Sequence, residues 1–311
     1  MTHRGPVIGD LRQRSPIFFA AALSRWARAA CAALLPVLVA GCVTLTAEPR
    51  ALLQQSDGTV QVQSLACART VSLAAATRTT PRATGLDPAT IRILTWNIHK
   101  QGDRGWEDDL QTFAADSDLL LLQETVLDGT LQQMIDTAGM RWVMASSFIY
   151  ENIDTGVLTA SRIEPVASCT QRIVEPLLRL PKSAVISWFP LRGEATTLAV
   201  VNVHAINFSL SLGAYRAQFD AVVDALSQHE GPIVFAGDLN TWTTNRIAVV
   251  DAAARRLGLT EIAFTDDRRR LFFGHQLDHI YTRGLDVVTS SAIAVTSSDH
   301  NPVMATLRLT R

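Results

Sequence analysis

Leu119-Leu120-Leu121-Leu122-Gln123-Glu124 constrains this chain more than any other segment: four consecutive leucines that stop on an amide and a carboxylate. An apolar run of this length reads as a strand buried on both faces, so apolar material must cover each side of it. The pattern recurs. Ile91-Arg92-Ile93-Leu94-Thr95-Trp96 ends at Asn97, and between the two runs Trp106, Leu110 and Phe113 repeat at helical spacing. The unit is strand, helix, strand.

The alternation continues, with a helix over 129–138 and strands over 141–147, 156–161, 166–173, 184–189 and 196–204. A helix over 214–228 turns Phe219, Val222, Val223 and Leu226 inward. A strand over 233–236, a helix over 245–257 and strands over 279–282 and 303–309 complete the pattern. With 311 residues, 48% hydrophobic and 18% charged, there is material for one large core or two at most. Helices interleaved with runs of neighbouring strands predict an α/β (α+β) fold of two packed mixed sheets flanked by helices, not a purely parallel doubly wound sheet.

Polar groups are costly at the ends of apolar strands unless something satisfies them. Here Asn97, Glu124, His204, Asp238 with Asn240, Asp278, and Asp299 with His300 are read at the C-terminal ends of successive strands or just beyond. Any one of these fits a turn or helix cap. Together they predict convergence on one pocket.

The N-terminus bears on location. Arg25 and Arg28 precede an almost uncharged stretch, Ala29 to Leu45. A basic segment followed by a short apolar run that closes on small residues is the pattern of an export signal. Val39-Ala40-Gly41-Cys42 resembles the bacterial lipobox, whose Cys receives diacylglycerol; the other reading is an uncleaved membrane anchor. Either predicts a bacterial envelope protein facing the periplasm or exterior, with 1–41 a leader, 42–88 a tether carrying one short strand near Val60 to Val62, and 89–311 the catalytic domain.

Residues 1–41 hold five Arg and one Asp, so without them 23 basic and 28 acidic side chains remain, formally −5. Proteins that bind polyanions by counterion release usually carry a basic surplus; this chain has none. Cys67 and Cys169 would then sit in an oxidising compartment, which predicts either a disulfide or two free thiols, with the bridge favoured.

Thr95-Trp96-Asn97-Ile98, Leu122-Gln123-Glu124, Val201-Asn202-Val203-His204, Gly237-Asp238-Leu239-Asn240, Leu277-Asp278-His279-Ile280 and Ser298-Asp299-His300-Asn301-Pro302 occur in the order found in the endonuclease/exonuclease/phosphatase superfamily, and the chain resembles that family from Ile91 to Leu309. The resemblance implies a DNase I-like four-layer sandwich and hydrolysis of phosphoester bonds with Mg²⁺ or Mn²⁺. It implies metal positions at Asn97, Glu124 and Asp299, and catalytic positions at His204, Asp238, Asn240, Asp278 and His300. In that reading Asp238 orients or deprotonates the attacking water, and Asn240 holds the phosphate or that water. His300 meets the scissile phosphate, with Asp278 fixing its tautomer. His204 leans toward DNase I-like and sphingomyelinase-like members, since exonuclease III-like members have Tyr there.

Flanking residues read two ways. His99 and Lys100 touch phosphate or form a solvated loop; Asn207 lines the pocket or caps a helix; Arg268, Arg269 and Arg270 grip an anionic substrate or face solvent. The leading expectation is a nuclease, and the alternative is a sphingomyelinase-like or other phospholipid or small-phosphoester phosphodiesterase. A non-catalytic envelope lipoprotein is the third reading, disfavoured because unneutralised clustered carboxylates are costly without a metal. No long apolar hairpin is visible in the sequence. The expected partners are the phosphodiester substrate, nucleic acid or phospholipid, and a membrane through lipidated Cys42; a monomer with no obligate protein partner is expected.

Overall fold

The structure, a computed structural model, describes residues 43–67, 82–209 and 211–311. The expected leader 1–41 and the lipobox-like Cys42 lie outside the described residues. Short strands β1 (Val43–Thr44), β2 (Arg50–Gln54) and β3 (Val60–Gln63) precede the first apolar run, β4 (Ile91–Asn97). There follow α1 (Trp106–Ala115), β5 (Leu119–Val126), α2 (Gly129–Thr137), β6 (Arg141–Tyr150) and β7 (Ile153–Ser161). The middle of the chain gives β8 (Ala167–Val174), β9 (Pro181–Pro190), β10 (Thr197–His204), α3 (Gly213–Leu226), β11 (Ile233–Asp238) and α4 (Thr244–Leu257). The last part adds β12 (Thr260–Glu261), the hairpin β13 (Leu271–Phe272) and β14 (His275–Gln276), then β15 (Asp278–Arg283), β16 (Leu285–Ala292) and β17 (Val303–Leu309).

Two mixed sheets result, with strand orders β16-β17-β4-β5-β7-β6-β2-β3 and β12-β15-β11-β10-β9-β8. Strand periodicity explains how they stack. Ile91, Ile93, Leu119 and Leu121 meet Leu198, Val200, Val234 and Ile280 between the sheets. The intervening Leu94, Trp96, Leu120 and Leu122 face Trp106, Leu110, Phe113, Leu131 and Ile135 of α1 and α2. On the far side, Ala199, Val201 and Phe235 pack against Phe219, Val222 and Leu226 of α3 and Val250 of α4. Helix, sheet, sheet and helix are therefore four layers, as expected for runs apolar on both faces.

Local chemistry ends the helices where the sequence suggests. The carboxylate of Asp128 accepts the Leu131 N–H to cap α2, and Gly258 closes α4 at φ 66°. Among the described residues no helix is long and apolar enough to cross a membrane.

Part of the segment expected to be tether is built into the domain. β2 pairs with β6, and β3 pairs with β2, at the edge of the larger sheet. Cys67 and Cys169 are bridged across a separation of 102 residues. β16 is a strand the periodicity does not announce, because its Val287 and Val288 are exposed on an edge.

Candidate active site

Each sheet contains a parallel pair, and these pairs build the site. β4 and β5 run parallel with Asn97 opposite Gln123; β10 and β11 run parallel with His204 opposite Asp238. The C-terminal ends of all four strands therefore share one end of the sandwich. Asp278, Asp299 and His300 are a correction to the sequence reading. Asp278 opens β15, antiparallel to β11 and opposite Asp238, while Asp299 and His300 precede β17, antiparallel to β4. They reach the same end from the N-terminal side of their strands.

Backbone exceptions aim the side chains. Glu124 has φ 52° where the β5 to β7 register shifts, a bulge that frees its carboxylate from strict alternation. Gly237 has φ 139°, and a Cβ there would lie 2.0 Å from the Val203 carbonyl oxygen, so only glycine lets β11 place Asp238 beside His204. Asn240 takes φ 50°, and its backbone N–H donates to Asp238 Oδ1 at 3.0 Å.

The side chains form a continuous path across both sheets. His204 Nε2 lies 3.6 Å from Glu124 Oε1 and 3.5 Å from Asp238 Oδ2. Asp238 Oδ2 is 3.8 Å from His300 Nε2, and His300 Nδ1 is 2.8 Å from Asp278 Oδ2. Asn97 Nδ2 donates to Asp238 Oδ2 at 3.0 Å, so in this state it orients that carboxylate. The Asn240 amide donates to the Ala205 carbonyl, anchoring its own loop. Asp299 is the exception: its side chain is 59% exposed and lies 3.9 Å from His99 Nδ1, so the expected metal position at Asp299 is not drawn into the cluster.

Environment separates the two histidines. Burial, reinforced by the Lys182 ammonium, pushes His204 down to about 4. Burial acts against the charged form of His300 as well, but Asp278 and Asp238 outweigh it and raise that ring to about 10. At neutral pH one imidazole is neutral and the other an imidazolium. Burial would raise the Glu124 carboxyl, yet His204, Lys182 and Lys100 hold it far below the usual carboxylate range. Where His204 is uncharged, the two lysines carry that effect.

Several participants escape a reading of the sequence alone. Lys182 Nζ sits 2.8 Å from His204 Nε2 and 3.8 Å from Glu124 Oε1. Ser298 Oγ donates to the Asn97 carbonyl and accepts the His300 N–H, stapling the last loop to β4. Beneath the site, Gln123 Nε2 donates to Asn202 Oδ1 at 2.6 Å, joining the two sheets by a buried hydrogen bond. The ambiguous residues also resolve. Lys100 pairs with Glu124, and His99 Nδ1 lies 2.8 Å from Asp103. Asn207 accepts the Trp242 indole N–H, lines the mouth of the site and caps no helix. Arg269 is buried between Asp267 and Glu261, so it supports the fold and is not free to grip a substrate.

The donor set suits a hard divalent cation. Glu124 offers two carboxylate oxygens, one of them 3.6 Å from the His204 ring nitrogen that also neighbours Asp238, and oxygen is the chemistry such ions prefer. Asp238, Asp278 and His300 form a second, buried group with one ligand atom each within 4.8 Å of one another. There the His300 ring is engaged by Asp278, while Glu124 faces the ammonium groups of Lys100 and Lys182. The carboxylates are not bare: Lys100 and Lys182 neutralise Glu124, which removes the argument that their cost alone demands a metal.

Residues 94–300 match the model of the Endonuclease/Exonuclease/phosphatase family. The fold is similar to an endonuclease/exonuclease/phosphatase from Bacteroides vulgatus, with TM-score 0.58 and 17% identity over 71% of this chain and 99% of that one. It is similar to the human nocturnin catalytic domain with bound sulfate, with TM-score 0.56 and 17% identity over 73% and 97%. It also resembles ANGEL2, a 2',3'-cyclic phosphatase solved with adenosine-2',3'-vanadate, with TM-score 0.55 and 12% identity over 75% and 99%.

Proposed function

Because this chain belongs to the endonuclease/exonuclease/phosphatase family, whose members hydrolyse phosphoester bonds, we propose that it is a divalent-metal-dependent phosphodiesterase with nuclease-type chemistry. The observation that carries this reading is the unbroken path Glu124, His204, Asp238, His300, Asp278 across the ends of both sheets.

A cation held by Glu124 with Asn97 would neutralise the non-bridging oxygens of the phosphate. The chain's own groups do the rest. Asp238, held by Asn97 and the Asn240 backbone, would orient water and accept its proton. His300 presents Nε2 as a charged donor to the phosphate or the departing oxygen, with Nδ1 fixed on Asp278. Neutral His204 and the ammonium of Lys182 line the opposite wall.

The lipobox-like Val39-Ala40-Gly41-Cys42 supports a lipid-anchored protein of the bacterial envelope. Cys42→Ser should release it from membranes, and unchanged retention would favour an uncleaved anchor.

The deciding experiment offers plasmid DNA, RNA, phospholipid vesicles and bis(p-nitrophenyl) phosphate with Mg²⁺ or Mn²⁺, each with and without EDTA. Turnover should vanish in chelator and in folded Glu124→Ala and His300→Ala proteins. Equal turnover in chelator, or by either variant, removes the mechanism. A second substrate class beside nucleic acid is favoured by one observation, the exposed apolar side chains around the mouth.

A further inference from the structure

The β13 to β14 hairpin ends in Leu271, Phe272 and Phe273, exposed by 61%, 49% and 76%. Phe272 and Phe273 pack on each other with centroids 4.5 Å apart, and Phe273 meets Trp242 at 6.3 Å. The Trp242 indole donates to Asn207, whose neighbour Phe208 is half exposed. Asn207 and Phe208 line the same cleft as Glu124, Lys182 and His204, and so does Leu178, which with Leu177 forms a second exposed tip after β8. Apolar side chains thus ring the mouth of the site on two sides.

Clustered exposed apolar residues mark a contact surface. Leu271 and Phe272 stand on the short β13 and Phe273, Leu177 and Leu178 on turns, while Leu178 and Phe208 also edge the cleft; separate exposed tips of this kind suit a soft, extended apolar layer better than a bound chain segment. Exposed Arg179 and Arg270 adjoin the two tips in sequence, setting cations next to apolar side chains as interfacial proteins do at anionic headgroups. The chain also enters the domain at this end. Arg172 Nη1 donates to the Thr46 carbonyl, and Arg50 holds Asp154, next to the Thr155 that lines the cleft. Cys42 precedes Thr46 by four residues, a reach of about 14 Å at most.

We infer that the rim of the mouth is a lipid-contacting surface and that the phosphodiester hydrolysed here is presented by a phospholipid. This rests on the phosphodiesterase reading of the site. The balance of −5 beyond residue 41 argues against a polyanion as the surface's partner.

The test is local, because the N-terminal leader alone can retain the chain on vesicles. Hydrogen exchange of the full chain is followed over 176–180 and 271–276, with vesicles of phosphatidylcholine and phosphatidylglycerol or with single-stranded DNA. Vesicles should protect both tips and DNA neither. The double variant Phe272→Ser, Phe273→Ser should lose about tenfold in turnover of vesicle phospholipid and none on bis(p-nitrophenyl) phosphate. Unprotected tips, or protection by DNA instead, overturns the lipid surface; unchanged vesicle turnover in the variant overturns lipid presentation. Failure of every form to hydrolyse the soluble diester with metal counts against the phosphodiesterase reading, while tip protection still decides the surface.

Discussion

Lys182 Nζ lies 2.8 Å from His204 Nε2, inside a wall where both side chains are largely buried. An ammonium only donates, so Nε2 must accept, and His204 is locked as the neutral ring with its proton on Nδ1. His300 is the reverse case, charged and fixed by Asp278. Ring-proton NMR of the metal-free protein should show His204 titrating near 4 and His300 near 10. The stability signs follow by linkage. His300, raised above its unfolded value, contributes fully below about 6.5 and loses that contribution as pH rises through about 10. His204, lowered, costs stability as pH falls from about 6.5 toward 4. Two rings titrating together near 6.5 would refute the assignment.

Removing the lysine should act on chemistry and on that neighbour at once. Lys182→Met keeps much of the buried stem but deletes the donor, so turnover should fall by about 10²- to 10³-fold, the range for a lost preorganised donor. The His204 titration should move up from about 4, since one of the charges opposing its protonation is gone. A variant with reduced turnover but an unmoved His204 would mean that Lys182 acts only through packing.

The cores were legible because β4 and β5 are apolar on both faces, which allows only a covered strand. The same logic exposed Asn97, Glu124, His204 and Asp238, polar groups where apolar runs stop. Strand direction is not written that way: Asp278 and His300 reach the site because β15 and β17 run antiparallel to their neighbours. Lys182 was invisible for a related reason. A lysine after Pro181 looks solvated until β9 pairs with β10, Ala184 opposite Val203, and carries it alongside His204. The Leu271-Phe272-Phe273 tip was hidden behind the arginine cluster, where a short run in a loop has no periodicity to betray it.

The Cys67 to Cys169 bridge ties the described N-terminal segment to β8 across 102 residues. Cross-linking so long a loop removes unfolded-state entropy, and losing the bridge should cost about 2–5 kcal/mol. Cys67→Ser with Cys169→Ser should therefore lower the urea midpoint, with activity at low temperature retained because neither sulfur touches the site. An unchanged midpoint would show that the bridge adds nothing to stability.

Glu124 carries two ammonium partners where a divalent cation would compete for the same oxygens. Lys100 is the more exposed, 49% against 17% for Lys182, so it is the one that must swing aside. Lys100→Ala removes a competitor without removing a ligand, and Mn²⁺ should bind more tightly by calorimetry, several-fold at low salt where charges are least screened. Glu124→Gln keeps the shape but discards the negative charge, and Mn²⁺ affinity should fall by at least tenfold. Both signs are needed. If the glutamine variant binds Mn²⁺ as well as the parent does, the cation is held elsewhere, and the Asp238, Asp278 and His300 group becomes the position to examine.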